Sequence, residues 1–150
     1  RKQNGHISEA TNSALALASG TYVAFLDHDD MLREHALYMM AEAILRTGAD
    51  VLYSDEDKID ENGIRFAPHL KPDWNYHYLL AINYICHFTV VRTALVRKLK
   101  GLRSEVNGSQ DHDLLLRLAE KTKAFHHVPH ILYHWRASQG STARSADAKR

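Results

Sequence analysis

Apolar positions along the first third of the chain alternate between two rhythms. In "SEATNSALALASG" the residues Ala10, Ala14, Leu17 and Ala18 share one helical face, with Ser8 placed to cap the start and Gly20 where a helix would stop. "TYVAFL" then reads as a short buried strand. "LREHALYMMAEAILRTG" returns to helical spacing through Leu32, Ala36, Met39, Met40, Ala43 and Ile44, and ends at Gly48. "DVLYSD" is a second short strand that finishes in acids. Helix, strand, helix and strand with tight connections predict parallel strands in an α/β layer.

The middle of the chain is less regular. "DEDKIDENGIRFAPHLKPDW" carries a turn signal at Asn62-Gly63 and breaks at Pro68 and Pro72, which predicts a hairpin and an excursion over the sheet. "YICHFTVVR" is the next strand, "TALVRKLKG" and "DHDLLLRLAEKT" read as helices, and "AFHHVPHILYHWR" reads as extended around Pro129. No internal repeat or low-complexity segment interrupts the pattern. The domain expected from these elements occupies residues 1–150.

Composition narrows the class. The chain has 150 residues, 45% of them hydrophobic and 25% charged, an ordinary soluble balance with enough chain for one core. A net charge of +1 with scattered basic residues argues against nucleic acid as a partner and against bulk attraction to anionic membrane. The single cysteine, Cys86, excludes an intrachain disulfide and any cysteine-based zinc motif, and fits a reducing compartment. The longest apolar run, "LLAINYICHFTVV", is interrupted by Asn83 and His87 and falls short of the roughly eighteen residues of a membrane span. The polar opening at Arg1, without an initiator Met, and the closing "ARSADAKR" lead us to expect a fragment of a longer protein.

The chemistry gathers where strands end. "VAFLDHDDM" passes from apolar residues straight into Asp27, Asp29 and Asp30. Like charges held close cost free energy unless a cation or fixed donor offsets them. One reading makes these acids a helix cap and first turn. The other uses strand alternation, which points Asp27 and Asp29 to one side, at a crevice where α/β sheets bind ligands. Paired carboxylates there suit Mg²⁺ or Mn²⁺. A helix-loop-helix calcium loop fails, because Met31 and Leu32 stand where it needs an oxygen ligand and a glycine. A second acidic cluster, "GSQDHDLLLRLAE", sets Asp111 and Asp113 ahead of an amphipathic helix, either as cap and first-turn acid or with one of them as general base. In "HHVPHILYHWR", His126, His130 and His134 are four apart, but Pro129 and the β-branched neighbours disfavour the helix a three-histidine zinc site would need. One histidine joining the carboxylates on a metal is the better reading.

"NGHISEATNSALALASGTYVAFLDHDD", then "GSQDHDLLLR", then "HVPHILYHWR" followed by "GSTA", resembles the family 2 glycosyltransferases of GT-A fold, most of all the bacterial members that build O-antigen and other surface polysaccharides. The resemblance spans nearly the whole chain. It implies a Rossmann-like α/β fold with a mixed, mostly parallel sheet flanked by helices. It further implies a strand-end Asp-x-Asp motif, matched by Asp27 and Asp29 with Asp30 following, that binds Mn²⁺ or Mg²⁺ and the donor diphosphate. The family's Glu-Asp pair supplies the catalytic base as its Asp. Here the pair reads Gln110-Asp111, so the base position is kept and the first carboxylate is not. A late histidine completes the metal shell in the family, and His134 is the matching position, with Trp135 and Arg136 beside it on the substrate side. Asn4, Gly5 and Asn12 match the stretch that lines the nucleotide pocket. The family's opening strand of the "VSVIIP" type and its βα unit have no counterpart in the sequence, so the chain is expected to be the C-terminal two-thirds of a catalytic domain, incomplete at its N-terminus.

The implied reaction is metal-dependent inverting transfer of a sugar, hexosyltransferase in type, from a nucleotide-sugar donor to a saccharide or lipid-linked acceptor. The expected location is cytoplasmic, at the inner membrane face where lipid-linked acceptors sit. Three alternatives stay open on sequence: a metal-dependent phosphohydrolase or two-carboxylate glycosidase, a covalent route using Asp55 or Asp57, and an inactive sugar- or nucleotide-binding piece of a larger synthase.

Overall fold

The structure is a computed structural model that describes residues 6–137. Its elements are α1 (His6–Leu17), β1 (Tyr22–Ala24), β2 (Met31–Leu32), α2 (Ala36–Thr47), β3 (Val51–Ile59), β4 (Arg65–His69), α3 (Tyr76–Ala81), β5 (Thr89–Arg92), α4 (Thr93–Lys98), a 3₁₀ turn (Ser104–Val106), α5 (Gln110–Ala119) and β6 (Phe125–Arg136). Most of the predicted elements are present, but Leu32, expected on the second helix, pairs in β2 instead, and α3 is an element the pattern does not predict. The Asn62-Gly63 signal forms the β3–β4 hairpin with Gly63 at φ 81°. Gly48 stops α2 in the left-handed conformation, its N–H bonding back to the Ile44 carbonyl. Ser8 departs from its expected capping place. It lies inside α1 and is fully buried, its hydroxyl 3.1 Å from the Arg103 carbonyl and 2.6 Å from Asn107 Oδ1.

The sheet is mixed, in the order β1-β5-β3-β6-β2, with β4 on the outer half of β3. Its hydrogen-bonded pairing is mainly antiparallel and corrects the mostly parallel expectation: only β3 and β6 pair in parallel. The reason is insertion. β5 lies between β1 and β3, antiparallel to both, so β1, β3 and β6 point the same way although β1 and β3 never touch as neighbours. The helix–strand rhythm of the first sixty residues carries strand direction, and the strand that separates them arrives later in the chain.

Helices cover both faces, which is why Val51, Leu52 and Tyr53 form a continuous apolar run rather than an alternating one. Val51 and Tyr53 pack with Leu79, Val96, Leu114 and Leu118 from α3, α4 and α5. Leu52 packs with Ala36, Met40 and Ala43 of α2 and with Leu132 and Tyr133 of β6. Pro129 marks a break in the β3–β6 register. Ser54 pairs with Val128, but Asp55 pairs with Ile131 and Glu56 with Tyr133, so Pro129 and His130 bulge out of the ladder. A proline has no N–H to give the ladder, and a bulge is where a sheet accommodates it. Among the described residues no helix is long and apolar enough to cross a membrane.

Candidate functional site

An open cleft of about 1010 Å³ lies beyond the end of β1. Its walls come from Phe25 and Asp27, from Glu56 and His69 on the hairpin, from the loop through Asn83 and His87, from the start of α5 at Gln110 and Asp111, and from Tyr133 and Trp135 of β6. Both acidic clusters singled out in the sequence thus reach one cleft, although about eighty positions separate them.

At the β1 side, one ligand atom each from Asp27, Asp30 and His87 lies within 4.8 Å of the others. Asp27 and the His87 ring approach to 3.9 Å. The chain past Ala24 leaves regular strand geometry, so strict alternation does not extend to the acids. Asp29 lies outside the cluster. Its side chain is half exposed beside His28, and its carbonyl accepts a 2.6 Å bond from Arg136 Nε. Asp30 turns inward, accepting from the Arg136 backbone N–H at 2.8 Å and from the Tyr133 hydroxyl. That hydroxyl also accepts from the Asp27 N–H at 3.3 Å, so one tyrosine braces both acids. Burial raises the Asp30 carboxyl above its usual range, the Arg136 and Tyr133 bonds opposing, and nearby Asp27 adds to the rise. Two carboxylates and an imidazole form a donor set that fits Mn²⁺ or Mg²⁺, and the crowding of the acids is what a cation would relieve.

His87 is held from behind. Glu56 Oε2 lies 3.3 Å from its Nδ1 and accepts from its backbone N–H at 3.2 Å. Lys71 Nζ donates to the same Oε2 at 2.9 Å, to the Ile85 carbonyl at 2.6 Å and to the His87 carbonyl. The His87 ring stacks on Tyr133, with centroids 4.9 Å apart. Burial works against a charged His87, but the Glu56 bond and charge outweigh it and raise the imidazole above its ordinary value. Glu56 is itself drawn well below the carboxylate range: burial opposes this, and the His69 and His87 bonds and the Lys71 charge overcome it. Burial lowers Lys71, with Glu56 opposing. Three oxygens surround Nζ, and only the ammonium supplies a proton to each.

Asp111 also lines the cleft, from the first turn of α5, with Ser109 in the capping position instead. Asn83 Nδ2 donates to Asp111 Oδ2 at 2.7 Å and engages one of its two oxygens. Gln110 folds back, its Oε1 accepting from the Gly108 N–H at 2.6 Å. Asp113 points elsewhere, into ion pairs with Arg117 and Arg103.

Other singled-out residues have structural neighbours. His134 is buried on β6, its Nδ1 2.5 Å from Asp57 Oδ1, and is not in the cluster with Asp27. Asp57 also receives Arg65 at 2.7 Å. Asp55 accepts from the Lys71 N–H and contacts His127 Nε2, both at 2.8 Å. Neither Asp55 nor Asp57 lines the cleft. Asn12 clamps Leu102, accepting from its N–H and donating to its carbonyl, each at 2.8 Å. Trp135 forms part of the cleft wall, with Lys58 Nζ 5.2 Å from its ring. Asn4, Gly5 and the "GSTA" segment lie outside the described residues. Sequence reasoning missed His87, Glu56 and Lys71. The available signal was a histidine that breaks an apolar run and a third acid, Glu56, on a strand already ending in carboxylates.

The fold agrees with what the chain is similar to. The model of the glycosyl transferase family 2 matches residues 1–100, and the chain belongs to that family. It is 47% identical over 152 residues to the uncharacterized protein y4gI of Sinorhizobium fredii, covering 99% of this chain and 17% of that protein. It is 41% identical over 143 residues to the O-antigen biosynthesis protein RfbC of Myxococcus xanthus, covering 95% of this chain and 11% of RfbC. Among solved structures, S. aureus TarS 1–349 in complex with UDP-GlcNAc superposes with a TM-score of 0.71 at 20% identity, over 95% of this chain and 42% of that one. The chain thus spans less than a fifth of these curated relatives.

Proposed function

We propose that this chain carries the metal and general-base portion of an inverting glycosyltransferase site. It would move a sugar from a nucleotide-sugar donor to a saccharide or lipid-linked acceptor in surface-polysaccharide synthesis. The observation that carries this is one cleft lined by Asp27, His87 and Asp111, with Asp30 grouped beside Asp27 and His87. Similarity to RfbC supports the pathway class, and the nucleotide-sugar complex of TarS supports a nucleoside diphosphate sugar as donor. The expected location is the cytoplasmic face of the membrane.

Asp27, Asp30 and His87 would hold Mn²⁺ or Mg²⁺, and a bound cation supplies neutralisation of the departing diphosphate charge. Asp111 accepts the acceptor hydroxyl's proton as its oxygen bonds the anomeric carbon, while the bond from that carbon to the diphosphate oxygen breaks. Attack from the side of Asp111, opposite the leaving group, inverts the centre. Asn83 fixes the carboxylate's rotation through its 2.7 Å bond. The Trp135 face offers an apolar plane for a sugar ring.

The test is Asp111→Asn in the protein, assayed for acceptor-dependent release of nucleoside diphosphate from a panel of nucleotide sugars, with membrane lipid extract as acceptor. Turnover should fall about 10²–10⁴-fold while Mn²⁺ and donor binding persist. Near-normal turnover would remove Asp111 as base, and release that needs only water would favour a hydrolase.

A further inference from the structure

We infer that Glu56 is a positioning residue that fixes the tautomer and place of His87, so that Nε2 is the atom presented to the cation. The inference rests on the reading of Asp27, Asp30 and His87 as a metal site. An ionised carboxylate only accepts hydrogen bonds, and Glu56 Oε2 already accepts from the Lys71 ammonium at 2.9 Å and from the His87 backbone N–H at 3.2 Å, the surroundings of an ionised carboxylate. The atom it faces on the ring, Nδ1 at 3.3 Å, must therefore carry the proton. In the neutral imidazole this leaves the Nε2 lone pair toward Asp27, whose oxygen is 3.9 Å away. The backbone of the same residue is held at both ends, its N–H by Glu56 and its carbonyl by Lys71. Lys71 in turn anchors Glu56 from a fully buried position. A carboxylate behind a metal-binding histidine orients the ring and raises its basicity as a ligand, and losing such a partner typically costs about 10–100-fold in metal affinity.

Two measurements test this in the protein. In metal-free protein at alkaline pH, long-range ¹H–¹⁵N NMR should show His87 with a protonated Nδ1 and a bare Nε2, and Glu56→Gln should give a mixed tautomer. Mn²⁺ binding followed by electron paramagnetic resonance should weaken about 10–100-fold in Glu56→Gln with the fold intact by circular dichroism. If Glu56→Gln does not fold, Glu56→Gln with Lys71→Met removes both buried charges and carries the same two expectations. A wild-type His87 protonated at Nε2 overturns the inference, as does unchanged Mn²⁺ affinity with the carboxylate replaced by an amide that can donate as well as accept. Asp27→Asn separates the underlying reading. If wild type and Asp27→Asn bind Mn²⁺ equally, the metal site itself is wrong and the inference falls with it, even with the tautomer as expected.

Discussion

Replacing Lys71 with methionine keeps the aliphatic stem and removes the ammonium, and the structure sets the size of the loss. The Lys71 side chain is 0% exposed, and Nζ serves Glu56, Ile85 and His87. Breaking a buried pair by deleting one partner costs about 3–5 kcal/mol, because the other charge is left uncompensated. Protonation of Glu56 limits that cost. Neutralising a carboxyl of ordinary pKa near 4.3 costs about 3.7 kcal/mol at pH 7 and about 1 kcal/mol at pH 5. Lys71→Met should therefore destabilise by about 3 kcal/mol at neutral pH, lowering Tm by about 6–12 °C for a domain of this size. The sign follows from Glu56. In wild type its folded pKa is depressed, so its contribution is fully present above the unfolded value and is retained at both pH 7 and pH 5, whereas in Lys71→Met protonation of the unpaired carboxyl becomes cheaper as pH falls. The gap between wild type and Lys71→Met should thus narrow from pH 7 to pH 5, and His87, whose proton affinity Glu56 raises, narrows it further as it protonates beside Glu56. Urea unfolding followed by the fluorescence of Trp74 and Trp135 at both pH values measures this. A loss below about 1 kcal/mol at pH 7, or a gap that widens in acid, would refute the reasoning.

Two further outcomes test other parts of the structure. Asp30→Asn should weaken Mn²⁺ binding by at least about tenfold and more than Asp29→Asn does, because Asp30 joins Asp27 and His87 while Asp29 does not; calorimetric titration of both variants decides it. Gly101→Ala should destabilise by about 1–3 kcal/mol in a thermal melt, since Gly101 has φ 73° and an added Cβ would lie 2.1 Å from Asn12 Oδ1, the atom that holds the Leu102 N–H.

The sequence makes local order legible and long-range pairing almost illegible, and β3 shows why. Helical period gives α2, α4 and α5, and the apolar run from Val51 to Tyr53 gives a strand, because each depends on neighbours within a few positions. Asp27 and Asp111 are legible as chemistry because acids at a strand end or a helix start are local patterns too. The acids at 55, 56 and 57 read only as the acidic finish of a strand, and all are buried, at 4%, 5% and 4% exposure. Their burial depends on partners from distant segments: His127 for Asp55, Lys71 for Glu56, Arg65 and His134 for Asp57. Lys71 stands in a polar, proline-broken stretch that predicts a hairpin and an excursion over the sheet and no buried cation. The β6 partners depend on two register shifts, one past Pro129 and His130 and one past Leu132, which together set Tyr133 opposite Glu56 and His134 opposite Asp57. A slip of one residue would turn these side chains to the other face and leave buried carboxylates unpaired. The same register brings Tyr133 under Asp30 and against the His87 ring. The register shifts of β6, which the sequence shows only as a proline in an extended stretch, are therefore what align the buried charges with the acids at the mouth of the cleft.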